Sequence, residues 1–259
     1  WKNITSFEGD GLGFDLKWNM GWMNDTLSYV KEDTIFRKYH HDKLTFSLTY
    51  AFDENFILPL SHDEVVHQRG SLINKMPGEY FWKFANLRLL RGYQMAHPGK
   101  KLSFMGVELG TEAEWASYKG LDWHLLENED NRQLHHYIKS MNAFYQQNKP
   151  MWEIDFDWEG FEWLVPDDNQ NNVVVFIRRD KSGKELVCAI NFNPNVYEDY
   201  RFGCPAYKEY VEVFNSDAVE FGGSGVLNTK PCPVSWTESH GKESSVSIRI
   251  PPFGAVFLE

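Results

Sequence analysis

The first part of the chain alternates between short apolar runs and longer segments with helical spacing. The apolar runs predict three short strands, at 12–16, 56–60 and 101–105. Apolar side chains three and four residues apart predict helices over 79–95 and 131–147, and a helical turn beginning at Thr26. His97-Pro98-Gly99 ends the first of these helices. Strands that alternate with helices are typical of a parallel α/β fold.

The pattern changes near Asn148-Lys149-Pro150. Beyond this point the apolar segments are short and separated by turns, and they predict strands at 173–179, 185–192, 209–215 and 246–250. Gly222-Gly223-Ser224-Gly225 and Pro231–Pro233 separate some of them. Short strands at this spacing favour an antiparallel β-sandwich. We therefore predict two domains, over residues 1–148 and 149–259.

Composition and charge narrow the range of partners. A formal net charge of −11 argues against nucleic acid, because phosphate binding requires a basic surface. No apolar run is long enough to suggest a membrane span. The 3 cysteines are an odd number without paired spacing, which indicates a reducing compartment, and we predict a cytoplasmic protein. The 10 Trp and 12 Tyr residues suit core packing or stacking on sugar rings.

Neither a metal nor a cofactor is predicted. The histidine pairs His40-His41 and His135-His136 are adjacent in sequence, so on a helix their side chains point apart. No third ligand follows at metal spacing. The glycines of 222–225 lack the strand and the lysine of a phosphate-binding loop.

The strongest chemical signal follows the second predicted strand. The apolar run Ile57–Leu60 ends in Ser61-His62-Asp63-Glu64. Polar residues just past the carboxyl end of a strand line the active site in parallel α/β barrels. Taken alone, Asp63 would be read as a helix N-cap. No other apolar strand of the chain ends in a clear catalytic carboxylate, so the chain is interpreted as part of an active site.

Several further blocks occur in order around this motif: Gly11–Phe14, Lys17–Met23, His40–Phe46, Lys75–Gly78, Lys83–Arg88, His97–Lys101, Leu121–Trp123 and Gly160–Leu164. In these blocks the chain resembles the C-terminal portion of bacterial 1,4-α-glucan (glycogen) branching enzymes, which are members of the α-amylase superfamily. The resemblance implies an α/β plus all-β fold. The last three strand–helix units of a TIM (β/α)8 barrel would occupy residues 1–148, and an antiparallel β-sandwich would follow over 149–259.

The resemblance also implies a reaction. These transferases cut an α-1,4-glucan by a retaining mechanism and pass the segment to a 6-hydroxyl, without a cofactor. The family's nucleophilic Asp and acid/base Glu would lie upstream of Trp1, so we expect the chain alone to be inactive. Asp63 would contact the ring hydroxyls and stabilise the transition state, and His62 would hydrogen-bond the same sugar. Glu64 is predicted to stabilise the start of the helix that follows. For Glu108, which follows the last barrel strand, a structural and a functional role are left open.

Four further residues are predicted to bind the glucan. Trp18 and Trp22 follow the first strand and are candidates for stacking on a sugar ring. His67 and Arg69 follow the motif closely enough to reach the substrate. The family usually has Gly-Lys where this chain has Gln68-Arg69. The resemblance therefore supports a substrate role less strongly at these two positions.

The expected partner is an α-glucan. We expect the parent enzyme to be a monomer, and the isolated chain to self-associate through the two unpaired edges of an open barrel. The sandwich is expected to be the more autonomous half. Two alternatives remain open at this point. One is a hydrolase of the same superfamily, which would release reducing ends instead of making α-1,6 bonds. The other is a non-catalytic glucan-binding module.

Overall fold

A small parallel sheet with its helices forms the first part of the chain. The computed structural model describes residues 3–6 and 11–259, so positions 1–2 and 7–10 of the predicted first domain lie outside it. The elements are β1 (Lys17–Trp18), α1 (Met20–Lys31), α2 (Asp42–Thr45), β2 (Phe56–Leu60), α3 (Tyr80–Ala96), β3 (Lys100–Ser103) and α4 (Glu129–Gln147). The strands lie in the order β1-β2-β3, and both pairs are parallel. A helix follows each strand, as the sequence predicts.

The first predicted strand is wrong in position. Leu12, Phe14 and Leu16 are exposed, and the strand consists of Lys17–Trp18, which pairs with β2. Alternating apolar residues form a strand only where a neighbouring strand accepts their backbone hydrogen bonds. The helix predicted to begin at Thr26 begins earlier because the Asn19 side chain accepts the N–H of Trp22 (2.8 Å) and caps it. The other two strands and both long helices are confirmed within two residues.

Two antiparallel sheets follow, and the predicted β-sandwich is confirmed. One sheet has the order β4-β5-β6-β12-β9, and the other has the order β7-β11-β10-β8. Their bounds are β4 (Phe161–Asp168), β5 (Val173–Arg179), β6 (Glu185–Asn191), β7 (Tyr197–Gly203), β8 (Glu209–Tyr210), β9 (Glu212–Asn215), β10 (Cys232–Ser235), β11 (Ser245–Ile250) and β12 (Gly254–Leu258).

Two details of the sandwich differ from the prediction. The strand predicted at 209–215 is two strands, β8 and β9, which pair in different sheets. Pro231–Pro233, predicted to separate strands, overlaps β10, where Pro233 pairs with Glu209. Strands β4, β7, β10 and β12 are additional to those predicted.

The five-stranded sheet is buried on both faces. Along β5 every side chain from Val173 to Ile177 is buried. Val173, Val175 and Ile177 pack against the second sheet. Val174 and Phe176 belong instead to a core shared with the helices of the first part of the chain. This continuous core argues against the expectation that the sandwich is the more autonomous half.

Buried arginines fasten the two parts together. Arg178 on β5 is fully buried, and its guanidinium donates to the carbonyl of Ala96 at the end of α3 (2.7 Å). The same group pairs with the buried carboxylate of Asp155 (2.7 Å). Lys100 at the start of β3 donates to the other oxygen of Asp155 (2.9 Å). One carboxylate thus links the parallel sheet to the sandwich.

Two more arginines span the same boundary from the other side. Arg37 is fully buried and donates to the carbonyl of Phe192 in the sandwich (2.7 Å). Arg88 on α3 donates to the carbonyl of Ser216 (3.1 Å). A buried guanidinium requires acceptors for its N–H groups, and these carbonyls provide them only in this relative placement of the two parts.

Replacing Arg178 is expected to destabilise the whole chain. Arg178→Met leaves the Asp155 carboxylate buried beside a single lysine, and breaking a buried ion pair typically lowers the free energy of unfolding by about 3–5 kcal/mol. The measurement is urea unfolding at neutral pH. Arg249→Met is the matched control, because Arg249 pairs with Glu198 at 2.7 Å on an exposed surface. Equal effects of the two substitutions would contradict the structural role of Arg178.

The sandwich produced alone should be poorly folded. Residues 149–259 would expose the face of the five-stranded sheet that the helices cover, which includes Val174, Phe176, Ile190 and Phe257. We expect aggregation on size exclusion and strong binding of a hydrophobic dye, compared with the 259-residue chain. A monomeric product with a sharp unfolding transition would show that this face does not need the helices.

Candidate active site

The loops that follow the three parallel strands meet along one edge of the sheet. The N–H of Asn19, just after β1, donates to the carbonyl of Ile57 (2.9 Å). The N–H of Phe104, just after β3, donates to the carbonyl of Leu60 (2.8 Å). Ser61 therefore leaves β2 between these two loops. This carboxyl edge is where parallel α/β folds place functional side chains.

Ser61 and Glu64 form a capping box around the turn that carries the motif. The Ser61 hydroxyl accepts the N–H of Asp63 (3.2 Å) and donates to the Glu64 carboxylate (2.8 Å). That carboxylate also accepts the N–H of Ser61 and is buried. The predicted helix-start role of Glu64 is confirmed. The alternative interpretation of Asp63 as an N-cap is wrong, because Ser61 is the N-cap of this turn.

His62 and Asp63 are consequently turned towards solvent at the carboxyl edge. The His62 Nε2 lies 3.2 Å from an oxygen of Asp63. The side chains are 47% and 60% exposed, respectively. Since the capping box uses Ser61 and Glu64, the two residues between them can face a ligand. Their assignment to a sugar stays a prediction.

Two aromatic side chains absent from the predicted site pack against His62. Phe104 lies 5.9 Å from the imidazole and Trp115 lies 6.3 Å from it, between ring centroids. Both residues belong to the segment after β3. The sequence places Phe104 in the predicted strand 101–105 and Trp115 in a loop rich in Glu, Trp and Tyr, and neither signal shows that these side chains reach back to β2.

The predicted substrate residues His67 and Arg69 lie on an exposed turn beside the motif. The Glu114 carboxylate accepts the N–H groups of Gly70 (2.8 Å) and Gln68 (3.0 Å). These hydrogen bonds lower the pKa of Glu114. The Nδ1 of His67 lies 3.4 Å from the same carboxylate. The turn is therefore held by Glu114, which is not among the predicted site residues.

The two predicted stacking residues differ in exposure. Trp18, at the end of β1, is 42% exposed and keeps a surface for a ligand. Trp22 is fully buried and stacks on Tyr93, with ring centroids 6.3 Å apart. The structure contradicts the sugar-stacking prediction for Trp22. Because Asn19 begins α1 at this point, Trp22 falls on the inward face of the helix.

The Glu108 side chain hydrogen-bonds the backbone of its own loop. Its carboxylate accepts the N–H of Gly106 (2.9 Å) at the start of a short 3₁₀ turn, which favours the structural interpretation. Within residues 3–6 and 11–259, no cluster of three His, Cys, Asp or Glu side chains could hold a metal ion. No helix in the same residues is long and apolar enough to cross a membrane.

Comparison with known proteins shows which proteins the chain resembles. Residues 163–259 match the family model described as alpha amylase, C-terminal all-beta domain. The 1,4-alpha-glucan branching enzyme GlgB of Halothermothrix orenii is 52% identical over 252 residues, which cover 96% of this chain and 40% of the relative. The predicted resemblance to branching enzymes is confirmed.

Other branching enzymes agree. The protein of that name from Aquifex aeolicus is 52% identical over 250 residues, which cover 96% of this chain and 40% of the relative. The one from Bacillus anthracis is 50% identical over 261 residues, which cover 100% of this chain and 40% of the relative. The chain therefore spans 40% of the length of the curated branching enzymes that it matches.

Solved structures support the fold. The debranching enzyme of Nostoc punctiforme superposes with a TM-score of 0.63 at 15% identity, over 96% of this chain and 48% of that one. A pullulanase mutant from Paenibacillus barengoltzii gives 0.64 at 15% identity, over 93% of this chain and 38% of that one. At this identity the likeness concerns the fold alone.

The capping box generates a stability prediction that separates structural from ligand-facing residues. Ser61→Ala removes the cap and should lower the free energy of unfolding by about 1 kcal/mol. Asp63→Ala, in the same turn, removes only an exposed carboxylate and should change it by less than about 0.5 kcal/mol. Thermal or urea unfolding of the two variants checks the order. A larger loss for Asp63→Ala would mean that Asp63 serves the fold.

Proposed function

We propose that the chain is the C-terminal part of a 1,4-α-glucan branching enzyme. Such an enzyme transfers a cleaved α-1,4-glucan segment to a 6-hydroxyl by a retaining double displacement. The observation that carries the proposal is identity of 50–52% to three proteins of that name over 96–100% of the chain. The exposed pair His62–Asp63 lies at the carboxyl edge of the sheet, and this position supports the proposal.

The pair suits a supporting role in glycoside cleavage. A retaining mechanism uses a nucleophile and an acid/base about 5–5.5 Å apart, and its transition state carries positive charge on the sugar. The Asp63 carboxylate would stabilise that charge and accept hydrogen bonds from the ring hydroxyls. The His62 imidazole, 3.2 Å from it, would donate to the same sugar. Both reacting carboxyls would come from a preceding part of the protein, so the 259-residue chain alone should be inactive.

The preceding part would also complete the sheet. In the described residues β1 and β3 each have one neighbouring strand, β2, and each leaves its outer edge for a further parallel strand. We propose that these three strand–helix units, within residues 1–148, are the last three of a (β/α)8 barrel. Residues 149–259 would be the separate β-sandwich domain. Three parallel units in consecutive order support this arrangement.

The proposed substrate is an α-glucan, with Trp18, His67 and Arg69 as its contacts beyond the pair. All three side chains are exposed near the carboxyl edge. We place the protein in the cytoplasm as a monomer that binds neither nucleic acid nor membrane. The three cysteines are buried as free thiols, which suits a reducing compartment.

The experiment compares the 259-residue chain with the longer protein of which we propose it to be a part. Incubation with amylose, followed by NMR detection of α-1,6 linkages, should show branching by the longer protein and none by the chain alone. Asp63→Asn in the longer protein should lower kcat by roughly 10²–10³, because it removes the charge while keeping the shape.

Asp167→Asn, an exposed carboxylate on the sandwich, is the matched control and should leave the rate unchanged. Release of reducing ends without new α-1,6 bonds would identify a hydrolase and overturn the proposal. Binding of glucan without either product would identify a non-catalytic module.

A further inference from the structure

The loop after β3 folds back over the loop after β2 through two adjacent residues, Glu114 and Trp115. The N–H of Trp115 donates to the carbonyl of Val65 (2.8 Å), the residue that directly follows the His62–Glu64 turn. One backbone hydrogen bond thereby joins the ends of two different strand–helix units beside the candidate site.

The indole of Trp115 closes an aromatic group around His62. It meets Phe104 edge-on, with ring centroids 5.1 Å apart and planes at 90°. Both rings also lie within 6.3 Å of the imidazole. Edge-to-face packing of this kind restricts the orientation of a ring. A histidine that is half exposed would otherwise sample several rotamers, and only some of them bring Nε2 to Asp63.

Glu114 acts on the neighbouring turn. Its two oxygens receive the N–H groups of Gly70 and Gln68. Gln68 has φ of +68°, a left-handed conformation that is unfavourable for a residue with a side chain. Lys75 donates to the carbonyls of Arg69 and Gly70 in the same turn. A carboxylate and an ammonium group therefore hold a strained backbone from its N–H and C=O sides.

We propose that Glu114 and Trp115 are positioning residues for the reaction. Trp115 sets the imidazole of His62 beside Asp63, and Glu114 sets the turn that presents His67 and Arg69. Neither residue needs to touch the sugar. The inference rests on the proposed function, because the residues it positions are those assigned there to the glucan.

The first test needs no catalysis. In the 259-residue chain, the ring protons of His62 should show ring-current shifts from Trp115 and Phe104 in the NMR spectrum. Trp115→Leu should move these signals, and Trp115→Phe should move them less because it keeps an aromatic ring. Tyr118→Leu, a 93% exposed residue in the same loop, is the control and should leave them in place.

Unchanged His62 signals in Trp115→Phe and Trp115→Leu would overturn the positioning role. If Trp115→Leu does not fold, judged by amide dispersion, Trp115→Phe alone decides, since it preserves most of the packing volume. This readout is independent of branching activity.

The second test uses the longer protein and separates the two residues. Trp115→Leu should lower kcat about 10- to 100-fold with little change in KM, since misplacing a group by about 1 Å can have an effect of that size. Glu114→Gln should mainly raise KM by loosening the turn with His67 and Arg69. Glu112→Gln, an exposed neighbour, is the matched control and should match the wild type.

The outcomes distinguish the two proposals. Absence of branching in the unmodified longer protein would refute the proposed function and leave the NMR test to decide the positioning role. Branching that is unaffected by Trp115→Leu would refute the positioning role and leave the proposed function standing.

Discussion

Burial of helix α3 on all sides from Phe84 to its end is the constraint on which the rest of the structure depends. Every residue from Phe84 to Ala96 is buried, because the parallel sheet lies on one side and the five-stranded sheet on the other. The amide of Gln94 donates to the carbonyls of Leu58 on β2 and Leu102 on β3 (both 2.9 Å). On the opposite side a Cβ at Gly92 would stand 2.8 Å from that of Ala255, so only glycine permits this approach.

Three of the buried arginines donate across the boundary between the two parts to backbone carbonyls. Arg37 and Arg88 reach carbonyls of the sandwich, and Arg178 reaches the end of α3. Burial lowers the pKa of Arg37 to about 10, which still leaves it charged at neutral pH. A buried guanidinium that lost its carbonyl acceptors would leave N–H groups without hydrogen bonds. These bonds therefore define the orientation of the sandwich relative to the parallel sheet. The carboxyl edge with His62 and Asp63 belongs to the parallel sheet that these bonds hold in place.

At the candidate site, Ser61 and Glu64 have the structural role, and the two residues between them are exposed. Ser61 and Glu64 satisfy each other and the start of the turn, so His62 and Asp63 need not serve the fold. The Ser-x-x-Glu spacing is visible in the sequence, and the role of Glu64 follows from it. The contact of Trp115 with His62 is not visible, because it joins two loops that are adjacent only when β2 and β3 pair.

The sequence by itself determined the parallel strand–helix units, the antiparallel sandwich and the location of the candidate site after β2. Local periodicity and capping residues depend on neighbours in the chain, so they can be read directly. The tertiary structure decided the rest. It placed Trp22 in the core because Asn19 begins α1 earlier than the apolar spacing suggests. It also brought Glu114 and Trp115 to the site and covered one face of the sandwich with helices. Those outcomes depend on which segments, far apart in the sequence, pack together and bury their apolar surfaces. A local sequence pattern does not contain that information.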